Sequence, residues 1–135
     1  MRKYFVFVVV ILAAFACGAQ DSALYRACNK QANTQHDMNA CANEEAKRVD
    51  DELNKVYKLL LSKVSGDKLA TAKIRAAQKA WLAYRDAYLE AMYPAKDKPV
   101  EYGSIFPMES DLLTAKLTRQ QILALQDILR ENDPR

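Results

Sequence analysis

Apolar residues recur at spacings of three and four along most of this chain, in three separate runs. Ala42, Ala46, Val49, Leu53, Val56 and Leu60 follow a 4-3-4-3-4 spacing, which puts them on one stripe of an α-helix. A second run holds Ala70, Ile74, Ala77, Trp81, Tyr84, Tyr88 and Ala91 and stops at Pro94, whose ring cannot continue a helix. The third begins at about Met108 or Ser110, carries Leu112, Ala115, Thr118, Ile122, Leu125 and Leu129, and ends near Asn132 and Pro134. Thr34-x2-Asp37 is a capping box that opens the first run, and Ser65-Gly66-Asp67 breaks it from the second. Asp21 to Lys30 reads as a short helix or turn. No strand-like alternation of useful length occurs. The pattern predicts an all-α fold: a small bundle of three main helices plus a short N-terminal helix or turn.

The start of the chain has a different character. Met1-Arg2-Lys3 precedes an apolar run from Phe5 to Phe15, too short to span a bilayer and of signal-peptide length. Residues 1–19 are therefore read as a signal peptide cut after Ala16, Gly18 or Ala19, leaving 20–135 as a single domain that is periplasmic or secreted. Cys17 offers an alternative, lipidation and anchoring in the envelope, although Ala14-Phe15-Ala16 departs from the usual lipoprotein pattern. In an oxidising compartment the two thiols certain to remain, Cys28 and Cys41, read as a disulfide that staples the bundle. The single histidine, His36, falls in a turn and there is no Cys-x2-Cys, so neither a metal nor another cofactor is expected.

Charge narrows the function further. Removing Arg2 and Lys3 takes 20 basic and 17 acidic residues to 18 and 17, a net charge of +1. No basic cluster with interleaved aromatics is seen, so no nucleic-acid partner is expected, and membrane association is expected only through a lipidated Cys17. Glu44, Glu45, Asp50, Asp51 and Glu52 form a local acidic run, read as the solvated side of a helix or as a patch for a cationic partner. Neighbouring carboxylates point about 100° apart on a helix, and no nucleophile–base pair or phosphate loop is present, so an enzyme is not expected.

If the first two helices fold back around Gly66, positions summing to about 132 lie level. Asn54 then faces Gln78, and Asp50 lies within about one 5.4 Å turn of Arg85. Asp50, Asn54, Tyr57, Gln78 and Arg85, with Trp81 as the anchor, are accordingly expected to form a structural polar lock between the two arms.

Asp50-x2-Leu53-Asn54-x2-Tyr57 and Gln78-x2-Trp81-x2-Tyr84-Arg85-Asp86, preceded by Cys28 and by Thr34-Gln35-x2-Met38-Asn39-x-Cys41-Ala42, resemble the LprI-type lysozyme-inhibitor N-terminal domain family over roughly Cys28 to Leu129. The resemblance implies a small, mostly helical exported protein and a protein partner, a lysozyme-like muramidase blocked sterically. The family often carries a second cysteine pair, which this chain lacks after Cys41. Pro94 to Pro107 is a long connection with three of the four prolines. Either its Tyr102, Ile105 and Phe106 tuck onto the bundle, or its Lys96, Lys98, Glu101, Tyr102 and Ser104 are presented to the partner. A second function class stays open, a structural or accessory periplasmic interaction module without a hydrolase target.

Overall fold

The computed structural model describes residues 21–132, so the predicted signal peptide and Cys17 lie outside the described residues. Five α-helices follow one another: α1 (Ala23–Gln31), α2 (Gln35–Lys63), α3 (Lys68–Met92), α4 (Lys98–Tyr102) and α5 (Phe106–Glu131), with one 3-10 turn, Gly103–Ile105, between the last two. No strand occurs among the described residues. The all-α expectation holds, and the short N-terminal element is a helix.

The helix ends follow from local chemistry. Thr34 and Asp37 form the reciprocal capping box at the start of α2, which satisfies two orphan N–H groups at once. Asp67 caps α3 by accepting from the Ala70 N–H at 2.9 Å, while the Val64 carbonyl takes the Asp67 N–H and the Thr71 hydroxyl to close the turn. Pro99 and Pro107 sit where a missing N–H does no harm, in the first turns of α4 and α5, and Pro94 follows the end of α3. For that reason α5 starts at Phe106, earlier than the sequence suggests. Gly103 has φ 71°, a left-handed conformation that favours glycine.

Packing centres on α2 and α5, which lie close together over much of their length. They run parallel: Asn39 meets Ser104, Asn43 meets Asp111 and Glu45 meets Arg119, so both numbers rise together. Ala42 and Ala115, each fully buried, let the two helices approach. Antiparallel to α5, α3 pairs Gln78 with Gln121 and Tyr93 with Phe106. The main core joins Val49, Leu53, Leu60 and Val64 to Ile74 and to Ala115, Ile122 and Leu125. Burying each of the larger side chains contributes on the order of 1.5–3 kcal/mol. A satellite cluster of Tyr25, Cys41 and Ala42 pins α1 to α2.

The seams predicted for α2 and α5 are the buried ones. In α3 the phase differs. Ala70, Ile74, Gln78, Trp81, Arg85, Leu89 and Tyr93 are its shielded positions, whereas Ala77, Tyr84, Tyr88 and Ala91 are exposed. The helix is apolar around a wide arc, and its contact with α5 shields one flank only.

Candidate functional site

Cys28 and Cys41 form the predicted disulfide, with Cα atoms 5.7 Å apart. Closing a loop of this length stabilises by roughly 3 kcal/mol. One turn further along α2 lies a group that sequence reasoning misplaced. Glu45 is not part of an exposed acidic run; its exposure is 0%. Its carboxylate accepts from the Ser22 hydroxyl at 2.6 Å and from the Ser22 N–H at 3.2 Å, and it pairs with both Arg48 and Arg119. Ser22 is the N-cap of α1, so Glu45 ties α1, α2 and α5 together and sits where α1's dipole favours negative charge. Buried carboxylates persist when charges and hydrogen bonds compensate them. Its signal in the sequence was phase: Ala42, Glu45 and Val49 share a 3-4 spacing that places Glu45 on the buried stripe.

The polar lock between α2 and α3 is not formed as predicted. Asp50 accepts from Asn54 at 3.0 Å within α2, both on the surface. Arg85 pairs with Asp86 at 2.9 Å and lies over the Trp81 ring, 5.3 Å from its centroid, a cation–π arrangement. Gln78, only 8% exposed, accepts from Gln121 of α5 at 2.9 Å. Tyr57 and Trp81 do pack against the shared core. The physical reason is α5: it takes the groove between the two arms, whose backbones approach little beyond the turn, and it supplies the partner for Gln78.

At the end of the bundle where α1 turns into α2 lies the connection between α3 and α5. Tyr102 is turned inward: its ring meets Tyr93 edge-on at 5.3 Å and Phe106 at 5.7 Å, and its hydroxyl accepts the Ala95 N–H at 3.1 Å. Burial pushes the Tyr93 hydroxyl pKa up, with the Glu109 charge adding to it. Lys98 pairs with Glu90 at 2.9 Å. Lys96, Glu101 and Ser104 are exposed, as are Pro99 and Val100, the latter 80%. The Asn39 amide donates to the Ser104 carbonyl at 3.0 Å and fixes the connection to α2. A shallow cleft of about 230 Å³ opens there between Asn39, Pro99, Gly103, Ser104, Phe106 and Pro107. Nearby, burial raises the Asp111 pKa against the opposing effects of the Asn43 bond and the Lys47 charge. Among the described residues no His, Cys, Asp and Glu group is arranged to hold a metal ion.

Charge is distributed unevenly along the bundle. Residues 21–54 and 85–119, which build the half toward this end, carry thirteen acidic and nine basic side chains, a net of −4. Residues 55–79 and 120–132, which build the far end around the α2–α3 turn and the end of α5, carry eight basic side chains and three acidic, a net of +5. A near-neutral total therefore hides a polarised molecule, with the two ends about 30 Å apart at 1.5 Å of rise per residue.

Comparison with known proteins agrees with this architecture. The family model for lysozyme inhibitor LprI matches residues 27–125. An uncharacterized protein of Rhizobium meliloti (strain 1021) is 31% identical over 112 residues, covering 74% of this chain and 77% of its own. No solved structure matches the chain. With the matched span running from the disulfide helix α1 to the last core turn of α5, the chain belongs to the LprI lysozyme-inhibitor family.

Proposed function

We propose that the protein is an exported, non-enzymatic inhibitor that binds a cationic lysozyme-like muramidase with its acidic end and blocks it sterically. Family membership supports the target class, and typical export of the family supports the compartment. No helix among the described residues is long and apolar enough to cross a membrane. Periplasmic or secreted placement, with residues 20–135 as the single mature domain and Cys17 as the alternative anchor, belongs to the same proposal.

The observation that carries the reading is the net of −4 in the half of the bundle that holds the α1–α2 corner and the Pro94 to Pro107 connection. Complementary charge accelerates encounter and sets orientation, and here it directs a cationic enzyme toward one end of the bundle. Exposed apolar surface at Pro99, Val100 and Ile105, ringed by Asp97, Glu101 and Glu109, has the composition of a small interface with a polar rim. Lys96, Lys98 and Ser104 remain rim residues; Tyr102 shapes the segment from within.

The test is a cell-wall lysis assay with muramidases of different types at stoichiometric inhibitor. Val100→Arg should weaken inhibition at least tenfold with an unchanged thermal midpoint. Glu101→Lys with Glu109→Lys should slow association and flatten its salt dependence. No inhibition of any muramidase would refute the target, and unchanged inhibition by both variants would refute the site.

A further inference from the structure

The end opposite the acidic surface has chemistry of its own. Lys58, Lys63, Lys68 and Lys73 lie within about two turns of the α2–α3 turn and Lys55, Arg75 and Lys79 stand further up the two helices, all on exposed positions, with Asp67 as the one acid in this stretch; at the end of α5, Asp127 is paired with Arg130. Asp67 is engaged as the cap of α3. Apart from Lys63, none of these seven makes a side-chain hydrogen bond or ion pair among the described residues. This contrasts with Lys47, Arg48, Arg85, Lys98 and Arg119 elsewhere, which all meet carboxylates. Six cations without an ion-pair partner among the described residues repel one another, and an external anionic surface relieves that repulsion.

Two exposed leucines show which kind. Leu59, 51% exposed, lies in an i, i+4 row between Lys55 and Lys63, and Leu69, 69% exposed, lies beside Lys68 and one turn from Lys73. Apolar side chains between lysines add affinity for a lipid interface, where they enter the acyl boundary while the ammonium groups stay at the phosphates. On a hydrated polyanion they add little. Nor does this end carry an exposed aromatic on which a base could stack: Tyr57 is turned into the core.

We propose that the α2–α3 turn docks on an anionic bilayer surface, holding the protein there through Lys58, Lys68 and Lys73, with Leu59 and Leu69 as shallow apolar contacts and Lys55, Arg75 and Lys79 adding attraction from further up the helices. This association needs no acyl chain, and it leaves the acidic end pointing away from the membrane.

Vesicle co-sedimentation tests it, using the exported protein with Cys17→Ser so that no lipid modification contributes. Phosphatidylcholine vesicles containing phosphatidylglycerol should bind the protein, pure phosphatidylcholine vesicles should not, and raised salt should release it. Each lysine near such a surface is worth roughly fivefold, so Lys58→Gln, Lys68→Gln and Lys73→Gln together should weaken binding about a hundredfold. Leu59→Ser with Leu69→Ser should weaken it severalfold at constant charge. Lys30→Gln with Lys96→Gln, which removes lysines at the other end, should leave binding unchanged, and an equal loss in this variant overturns the site. Absence of binding, or binding unaffected by the triple lysine change, overturns the proposal. Equal binding to soluble polyphosphate with no loss in the leucine variant also overturns it, and assigns the turn to a polyanion.

Discussion

Arg119 of α5 pairs with Glu45 of α2 across 74 residues of sequence, and the carboxylate it meets is fully buried. Because Arg48 and Ser22 share that carboxylate, removing it leaves two guanidinium groups and the cap of α1 without their acceptor. Glu45→Ala should cost about 3–5 kcal/mol in urea unfolding. The exposed Asp50→Ala should stay within about 0.5 kcal/mol. Similar costs for the two would show that Glu45 is not a buried hub.

The disulfide provides a second measurement. Cys28→Ala with Cys41→Ala should lower stability by about 2–5 kcal/mol, and intact mass with and without reduction and alkylation should report one bridge. Recovery of two free thiols from oxidised protein would contradict the pairing.

Tyr102 yields a structural prediction in place of a binding one. Tyr102→Phe removes the acceptor of the Ala95 N–H and should cost about 1 kcal/mol, a fall in thermal midpoint of about 4 °C for a domain of this size. An unchanged midpoint would mean that the connection is not held by this bond.

A pH titration of stability tests the capping box. The Asp37 pKa is lowered, first by the Thr34 side-chain bond and then by backbone donors. Its stabilisation is therefore present above the unfolded carboxylate pKa of about 3.9 and lost as pH falls through the lower folded value. Asp37→Asn should be less stable than the parent at pH 7 and should converge with it in strong acid. Asp111 behaves oppositely: its pKa is raised mainly by burial, so its ionisation opposes folding, and Asp111→Asn should lose nothing through that charge at neutral pH.

Much of this fold was legible because its seams repeat. α2 and α5 each present a narrow apolar stripe, and a narrow stripe admits one buried face. α3 has no such restriction. Ala77, Tyr84 and Tyr88 are as apolar as its buried side chains, and the choice of face is made by α5, through the Gln78–Gln121 bond, rather than by α3 itself. The two-arm register failed for the same reason: it was drawn without the helix that lies in the groove. Glu45 was hidden because a lone acid on a stripe of alanines reads as surface until its two arginines, one of them 74 residues away, are brought together by folding. The charge polarity needed only the knowledge that residues 21–54 and 85–119 share one half of the bundle. Val100 was missed because its exposure follows from α4.

The two fastenings of α1 differ in what controls them. Glu45 acts in any compartment, but the Cys28–Cys41 link forms only where thiols are oxidised. Along the proposed export route, the newly made chain carries free thiols in the cytoplasm and lacks that part of its stability, which favours the loose state a translocating polypeptide needs. Its last fastening closes after crossing. On that proposed route full stability is reached only beyond the membrane, and a copy retained inside remains the easier one to degrade.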